Sequence, residues 1–121
     1  MQFRAQDAFY KENYPGAAYH VILRGEQPAG RLYIQRRKDE IRIMDIALLP
    51  HYRRQGIGSH LLNEILQEGA RENLPVTIHV ERFNPALHLY ERLGFRFSED
   101  RGVYYFMKWS PAEKEQHEAL G

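Results

Sequence analysis

The chain has 121 residues, a formal net charge of +1 and no cysteine. This length fits one domain with a single core, and the near-neutral charge provides no overall attraction to nucleic acid or to a membrane surface. The missing cysteines exclude disulfides, thiolate nucleophiles and cysteine-ligated zinc. We find neither a signal-peptide layout nor an apolar stretch of about 20 residues, so we expect a soluble, cytoplasmic protein.

The first elements predicted along the chain are a short helix and a hairpin. Residues 2–13 carry apolar side chains at helical spacing, and a Tyr-Pro-Gly sequence ends the pattern. Residues 19–23 and 30–35 are rich in β-branched and aromatic side chains and flank a turn-forming loop, which predicts two antiparallel strands. Residues 41–49 alternate at first and then become apolar on both faces, as is typical of a central strand.

The period of hydrophobicity changes at Gly58, where apolar residues begin to fall on one face of a helix. A fourth strand is predicted over residues 75–82. Asn84-Pro85 then has the form of an N-cap and first-turn proline for a second helix, which ends at Leu93. Residues 95–97 and 103–109 are predicted to form a last hairpin around a turn at residues 99–102.

The order of these elements predicts an α/β (α+β) fold with a mixed central sheet and helices on both faces. The strand-helix-strand segments imply parallel pairing in the middle of the sheet, and the terminal hairpins imply antiparallel edges. We expect one domain over residues 1–110 and a charged tail over residues 111–121.

The segment HYRRQGIGSH places arginine and glycine where the long helix begins. The first backbone N–H groups of a helix lack partners and lie at the positive end of its dipole, so they bind anions. Gly56 and Gly58 remove side chains that would keep a ligand away, and the arginines add permanent charge. In the alternative reading, the glycines only shape a turn and the arginines are solvated. The nucleoside-triphosphate and dinucleotide fingerprints are absent.

The pattern Arg53-x-x-Gly56-x-Gly58, after DIALLPHY and before NPALHLYERLGF, resembles the GNAT superfamily of N-acetyltransferases. The resemblance covers about Tyr19 to Trp109 and implies acetyl-CoA as co-substrate. It also implies that the pantetheine arm pairs with main-chain groups as a pseudo-strand, and that the glycine loop holds the pyrophosphate. The implied residues are Ile46, Ala47 and Leu48 for the arm, and Arg53, Arg54, Gln55, Gly56, Ile57, Gly58 and Ser59 for the pyrophosphate.

The motif LYERLGF contains Tyr90, whose counterpart in this family commonly protonates the departing thiolate. A phenol with a pKa near 10 suits that task. A tyrosine that only packs the helix onto the sheet is the alternative. Asn84 resembles the family's asparagine that contacts pantetheine, but it stands six positions before Tyr90, where many members have seven. Capping of the second helix is therefore an alternative role for Asn84.

Transfer of an acetyl group to an amine also needs a proton acceptor. By alternation, Thr77, His79 and Glu81 share one face of the fourth strand. His79 and Glu81 are the candidate bases, each with the plain alternative of a local hydrogen bond. Asp45, on the preceding strand, is a further possible base, but it is interpreted as making a structural hydrogen bond or meeting an arginine. The remaining histidines show no ligand spacing, so we expect no metal.

We therefore expect an acetyl-CoA-dependent N-acyltransferase, EC 2.3.1 type, in which a primary amine of a small molecule or peptide attacks directly in a ternary complex. Only about eighteen residues precede the hairpin, so the family's N-terminal strand and helix are expected to be missing. An uncovered sheet edge would suit a homodimer. The alternative is a non-catalytic acyl-CoA-binding module that acts through oligomerisation.

Overall fold

A seven-stranded mixed sheet forms the centre of the protein. The computed structural model describes residues 3–7 and 17–111. The strands are β1 (Phe3–Asp7), β2 (Ala17–Arg24), β3 (Gln27–Arg36), β4 (Ile41–Leu48), β5 (Val76–Glu81), β6 (Arg96–Arg101) and β7 (Tyr104–Trp109), in the spatial order β1-β2-β3-β4-β5-β7-β6. The helices are α1 (Ile57–Glu72), α2 (Leu87–Arg92) and a 3-10 turn, Pro50–Tyr52. β4 and β5 are parallel and the other neighbours are antiparallel, which confirms the mixed sheet.

The first element differs from the sequence prediction. β1 pairs antiparallel with β2 along its whole length. The helix predicted over residues 2–13 is therefore wrong for residues 3–7, and so is the expected absence of the N-terminal strand. The rest of that predicted helix lies outside the described residues. Five residues are too few to show a period, and the hydrogen-bonding edge of β2 decides their conformation.

Both helices of the described part pack on the same face of the sheet, which we call the helix face. A Cβ added to Gly69 of α1 or to Gly94 after α2 would lie 3.0 or 3.1 Å from a ring carbon of Trp109. The crossovers β4-α1-β5 and β5-α2-β6 step the same way across the sheet, and right-handed crossovers that do so bring their helices to one face. The prediction placed helices on both faces, whereas those of the described ranges lie on the helix face.

The hydrophobic core fills the space between the helix face and the two helices. α1 contributes a buried stripe of five aliphatic residues, each worth about 1.5–3 kcal/mol on burial: Ile57, Leu61, Leu62, Ile65 and Leu66. An ion pair also ties α1 to β3, because Arg36 donates Nε to Glu68 Oε2 at 2.6 Å and Nη2 to Oε1 at 2.9 Å. Within the described part, no helix is long and apolar enough to cross a membrane.

The predicted boundary between domain and tail stays a prediction. Pro111 is buried. Residues 112–121 lie outside the described part.

β4 contains a bulge at Met44. Tyr33 of β3 stands opposite Asp45 and Ile34 stands opposite Ile43, so Met44 is an extra residue. Because cross-strand partners share a face, the bulge reverses the alternation along β4. Ile46 and Leu48 therefore pack on the core with Ile43, and Asp45 turns to the opposite face. The bulge explains why the sequence of this strand looks apolar on both faces although Ile43, Ile46 and Leu48 lie on one.

β4 and β5 separate after a short common stretch. Only Ile41–Ile43 of β4 pair with β5, at Val76–Ile78, whereas β4 remains paired with β3 as far as Leu48. Among the described residues, the β5-facing edge of β4 from Met44 onward has no strand partner. The sheet is thus split in its middle.

Candidate active site

A cleft of about 310 Å³ occupies the split between β4 and β5. The three predicted catalytic residues, Tyr90, His79 and Glu81, all line it. Asn84 and Ile46, which were predicted to contact the cofactor, line it as well. The other lining residues are Met44, Asp45, Ile78, Val80 and Tyr104. Since these residues come from β4, β5, β7 and the region of α2, the split brings together groups that are far apart in the sequence.

Tyr90 brings a protonated hydroxyl to the cleft. The residue is 5% exposed, and its ring packs edge-on against Phe95 with the centroids 5.8 Å apart. Burial raises the pKa of the Tyr90 phenol above its ordinary value, and the negative charge of Asp45 adds to this effect. The hydroxyl therefore keeps its proton at neutral pH and can donate it to a group in the cleft.

His79 is hydrogen-bonded to an arginine that the sequence did not single out. Arg101 Nη1 lies 2.9 Å from His79 Nε2. Burial lowers the pKa of His79, and the positive charges of Arg42 and Arg101 lower it further. Arg101 belongs to the β6-β7 hairpin, and the sequence there shows only turn chemistry, so only the folded structure reveals the contact.

The two carboxylates of the cleft differ in their partners. Arg31 donates Nε to Asp45 Oδ2, in agreement with the expectation that Asp45 makes a structural hydrogen bond or meets an arginine. Glu81 is exposed, and its side chain has no hydrogen bond or ion pair within the described ranges. Glu81 is therefore the carboxylate available to accept a proton.

Asn84 caps the turn that leads into α2. Its Oδ1 accepts a hydrogen bond from the backbone N–H of Ala86 at 2.8 Å. This contact supports the alternative role that the sequence left open for Asn84. The helix itself begins at Leu87 rather than at Pro85.

Two side chains of the glycine loop are engaged within the protein. Arg53 donates Nε to the carbonyl oxygen of Leu48 at 3.1 Å. Gln55 accepts a hydrogen bond from Arg24 Nη1 at 2.7 Å and donates Nε2 to the carbonyl oxygen of His51 at 3.0 Å. Gln55 thus joins the loop to β2, and its side chain is not directed to a ligand.

The backbone at the start of α1 is available for an anion. Gly56 is the N-cap with a φ of 80°, a left-handed conformation that favours glycine, and no side chain caps the helix. The first helical hydrogen bond runs from His60 N to Gly56 O, so the preceding N–H groups of Ile57, Gly58 and Ser59 have no helical acceptor. Ile57 buries its side chain completely, so only its backbone can contact a ligand.

The free edge of β4 supplies further backbone groups beside the cleft. Ile46, Ala47 and Leu48 pair with β3 on one side, and their other edge faces the split. An extended ligand chain could pair there as a strand does. Across the described residues, no group of three or more His, Asp or Glu is placed to hold a metal ion.

Comparisons with known proteins bear on this site. The sequence model of the family described as "Acetyltransferase (GNAT) family" matches residues 2–95. A Bacillus subtilis (strain 168) protein provisionally named ribosomal protein bS18-alanine N-acetyltransferase is 32% identical over 105 residues, covering 83% of this chain and 69% of that protein.

Two solved structures share the fold. A GNAT family acetyltransferase from Elizabethkingia anophelis with acetyl-CoA bound has a TM-score of 0.71 and 13% identity, with 89% of this chain and 97% of that chain covered. The PaiA N-acetyltransferase from Thermoplasma acidophilum in complex with coenzyme A has a TM-score of 0.68 and 18% identity, with 76% of this chain covered. This chain spans 59% of the Thermoplasma chain.

Proposed function

Because the chain belongs to the GNAT family of acetyltransferases, we propose that it is an acetyl-CoA-dependent N-acetyltransferase whose acceptor is the α-amine of a polypeptide. One observation carries this proposal. The split between β4 and β5 places a free strand edge, a buried phenol and an unpaired carboxylate around a single cleft. These groups correspond to the three needs of acyl transfer, namely to hold the thioester, to protonate the thiolate and to deprotonate the amine.

The start of α1 and the edge of β4 would hold the co-substrate. The N–H groups of Ile57, Gly58 and Ser59 would bind the pyrophosphate, because they are unpaired and lie at the positive end of the helix dipole. The backbone of Ile46–Leu48 would hydrogen-bond the pantetheine amides. Asn84 Oδ1 caps a turn, which leaves its amide N–H groups for the same ligand.

The cleft residues divide the proton transfers between them. Glu81 accepts a proton from the amine, directly or through water, and the amine nitrogen then attacks the thioester carbonyl. As the C–N bond forms and the C–S bond breaks, Tyr90 donates its proton to the thiolate sulfur, and the second proton that the nitrogen loses on becoming an amide returns to the Tyr90 oxygen. In this proposal the amine attacks the thioester directly within a ternary complex, and the chain has no cysteine that could carry the acyl group instead.

The free carboxylate favours an α-amine as the acceptor. A carboxylate is a weak base, and it can deprotonate an α-amine, with a pKa near 7.7–8.0, more readily than an alkyl amine such as lysine, with a pKa near 10.4. The name of the Bacillus relative, an alanine N-acetyltransferase acting on a ribosomal protein, agrees with this choice.

The surroundings of the cleft also fit a peptide better than a polyamine. Met44 and Tyr104 line the cleft and are 43% and 45% exposed. A neighbouring recess shares Glu81 with the cleft and is lined by Phe83 and Val103, which are 91% and 67% exposed. Apolar side chains of a peptide substrate, next to its reacting amine, would cover these exposed apolar residues, whereas a polyamine has no side chains.

Thiol release from acetyl-CoA tests the proposal with three acceptors. These are a peptide that begins with alanine, the same peptide with its N-terminus acetylated, and spermidine. We expect turnover with the first alone. Glu81→Gln should lower kcat/KM by about 100-fold, whereas Glu91→Gln, on the exposed surface of α2, should leave it unchanged.

Calorimetric titration with acetyl-CoA separates the steps of the proposal. Binding without turnover on any amine would contradict catalysis and favour the non-catalytic module. Turnover with spermidine in preference to the peptide would overturn the acceptor. The cytoplasmic location and the homodimer predicted from the sequence stay predictions, and light scattering during gel filtration would test the dimer.

A further inference from the structure

The hydrogen bond from Arg101 determines which nitrogen of the His79 ring carries the proton. A guanidinium carries N–H donors and no acceptor, and it stays charged at any physiological pH. The contact of 2.9 Å from Arg101 Nη1 to His79 Nε2 therefore requires a lone pair on Nε2. The proton of the neutral imidazole must then reside on Nδ1.

The surroundings hold Arg101 in this position. Glu99 Oε2 accepts hydrogen bonds from Arg101 Nε at 3.0 Å and from Nη2 at 2.8 Å, which leaves Nη1 for His79. The Arg101 guanidinium also lies 4.6 Å from the ring centroid of Phe106, the residue paired with His79 between β5 and β7. Arg101 thus reaches from β6 across β7 to β5.

Arg42 approaches the same aromatic ring from β4, with its guanidinium 5.3 Å from the Phe106 centroid. The charged groups facing His79 are therefore Arg42 and Arg101, opposed by Glu40 and Glu99. Glu40 is engaged by Arg42 and Thr77, and Glu99 by Arg101. Glu40 and Glu99 are thus already paired with other groups. Glu81, which shares the cleft and the face of β5 with His79, is the carboxylate left unpaired there within the described part of the chain, and it is the one assigned to take the amine proton.

We propose that Arg101 is a positioning residue that keeps His79 neutral with its proton on Nδ1. His79 then donates a hydrogen bond to the peptide substrate, while Glu81 takes the proton of the substrate's amine. In a peptide with a free α-amine, the carbonyl carbon of the same residue is bonded directly to the carbon that carries the nitrogen, and the oxygen of this carbonyl is the atom that would accept the hydrogen bond from His79 Nδ1–H. The functional part of this inference rests on the proposed function. The tautomer does not.

Proton–nitrogen correlation NMR of the imidazole measures the tautomer directly. In the unaltered protein we expect a protonated Nδ1 and a bare Nε2 at neutral pH. Arg101→Met should shift His79 towards the Nε2-protonated form and raise its pKa, since a cation and a hydrogen-bond donor are removed together. Arg101→Lys keeps a cationic donor and should restore much of the original spectrum. Arg96→Met, at the opposite end of β6, is the matched control and should change nothing.

Kinetics test the role in acceptor binding. Arg101→Met should raise KM for the peptide by about tenfold, the worth of one lost hydrogen bond, with little change in kcat or in acetyl-CoA affinity. If Arg101 had a purely structural role, Arg101→Met would instead lower the melting temperature and would lower kcat together with kcat/KM. A protonated Nε2 in the unaltered protein, or an unchanged spectrum in Arg101→Met, would overturn the inference even if the enzyme acetylates the peptide. An unchanged peptide KM despite the spectral change would overturn its functional part. Conversely, if the unaltered protein turned over no amine, this would contradict the proposed function but not the assignment of the His79 tautomer.

Discussion

Replacing Tyr90 with phenylalanine isolates the hydroxyl that we assign as the general acid. The ring is 5% exposed and packs against Phe95, and phenylalanine retains that packing. Only the oxygen at the cleft is lost. We therefore expect the free energy of unfolding to change by less than about 1 kcal/mol. Any large kinetic effect of Tyr90→Phe must then come from the chemistry and not from the fold.

The expected kinetic loss follows from the proton that the thiolate needs. General acid catalysis contributes about 100-fold or more, which corresponds to about 2.7 kcal/mol of barrier height. The loss should appear in kcat, with the KM for acetyl-CoA nearly unchanged, because the hydroxyl acts when the C–S bond breaks. Since the pKa of Tyr90 is raised above 10.0, the unaltered enzyme should show no alkaline decline due to this residue below about pH 10.

A colorimetric thiol reagent is well suited to this assay. The chain has no cysteine, so the reagent reports only the thiol released from acetyl-CoA. Urea unfolding of both proteins serves as the control for stability. A kcat within about threefold of the unaltered enzyme would refute the acid assignment, because a missing general acid cannot leave the rate intact.

Three further substitutions test other parts of the structure. Gly58→Val should keep the fold, because the nearest atom to the added Cβ is Leu89 Cδ2 at 3.9 Å, but it should weaken acetyl-CoA binding about tenfold in calorimetry; unchanged affinity would argue against the anion site. Gly30→Ala would place its Cβ against the carbonyl oxygen of Ala47, well inside van der Waals contact, and should cost about 2 kcal/mol or more in urea unfolding; full stability would show that β3 and β4 do not approach so closely. Glu68→Gln removes the hydrogen bonds that lower the Glu68 pKa, chiefly those from Arg36, and at neutral pH should cost about 0.5 kcal/mol, given the exposure of the pair. Because a lowered pKa stabilises the fold above the ordinary value of 4.5 and loses this effect as the pH falls below it, the difference in unfolding free energy should shrink in acid; a constant difference would contradict the ion pair.

The central elements could be predicted because their hydrophobic patterns are long and because glycine or proline residues mark where they begin or end. The apolar stripe of α1 repeats over about three turns and begins after Gly56, whose positive φ favours glycine. The apolar run of residues 41–49 correctly indicated a central strand. Tyr90, one of the residues that line the cleft, could be singled out from the sequence because it belongs to one of the two motifs of the resemblance.

Features set by long-range contacts escaped the sequence. β1 is a strand because it pairs with β2, and the five residues of β1 carry no pattern that indicates this pairing. The bulge at Met44 depends on the register against β3, which an apolar run does not reveal. Arg101 reaches His79 across an intervening strand, so their contact follows from the order of strands and not from spacing along the chain.

Arg36 shows the same limit on the surface. In the sequence, the basic residues 36–38 stand beside an acidic pair, which favours a solvated turn over a site for an acidic substrate or nucleic acid. In the structure Arg36 ends β3 and reaches Glu68 on α1, 32 positions away. Sequence patterning identifies charge, but the pairing of charges depends on which elements the fold brings together.

The split in the sheet has a consequence for the energetics of the empty protein. Three pairs of facing residues, Ile41–Ile43 with Val76–Ile78, join the two halves of the sheet, and beyond them the ladder stops. Amide hydrogens along Met44–Leu48 on the cleft side should then exchange quickly with solvent in the free protein, through local opening rather than global unfolding. An occupant that pairs with this edge would act as an eighth strand, so acetyl-CoA would join the two half-sheets into one cooperative unit.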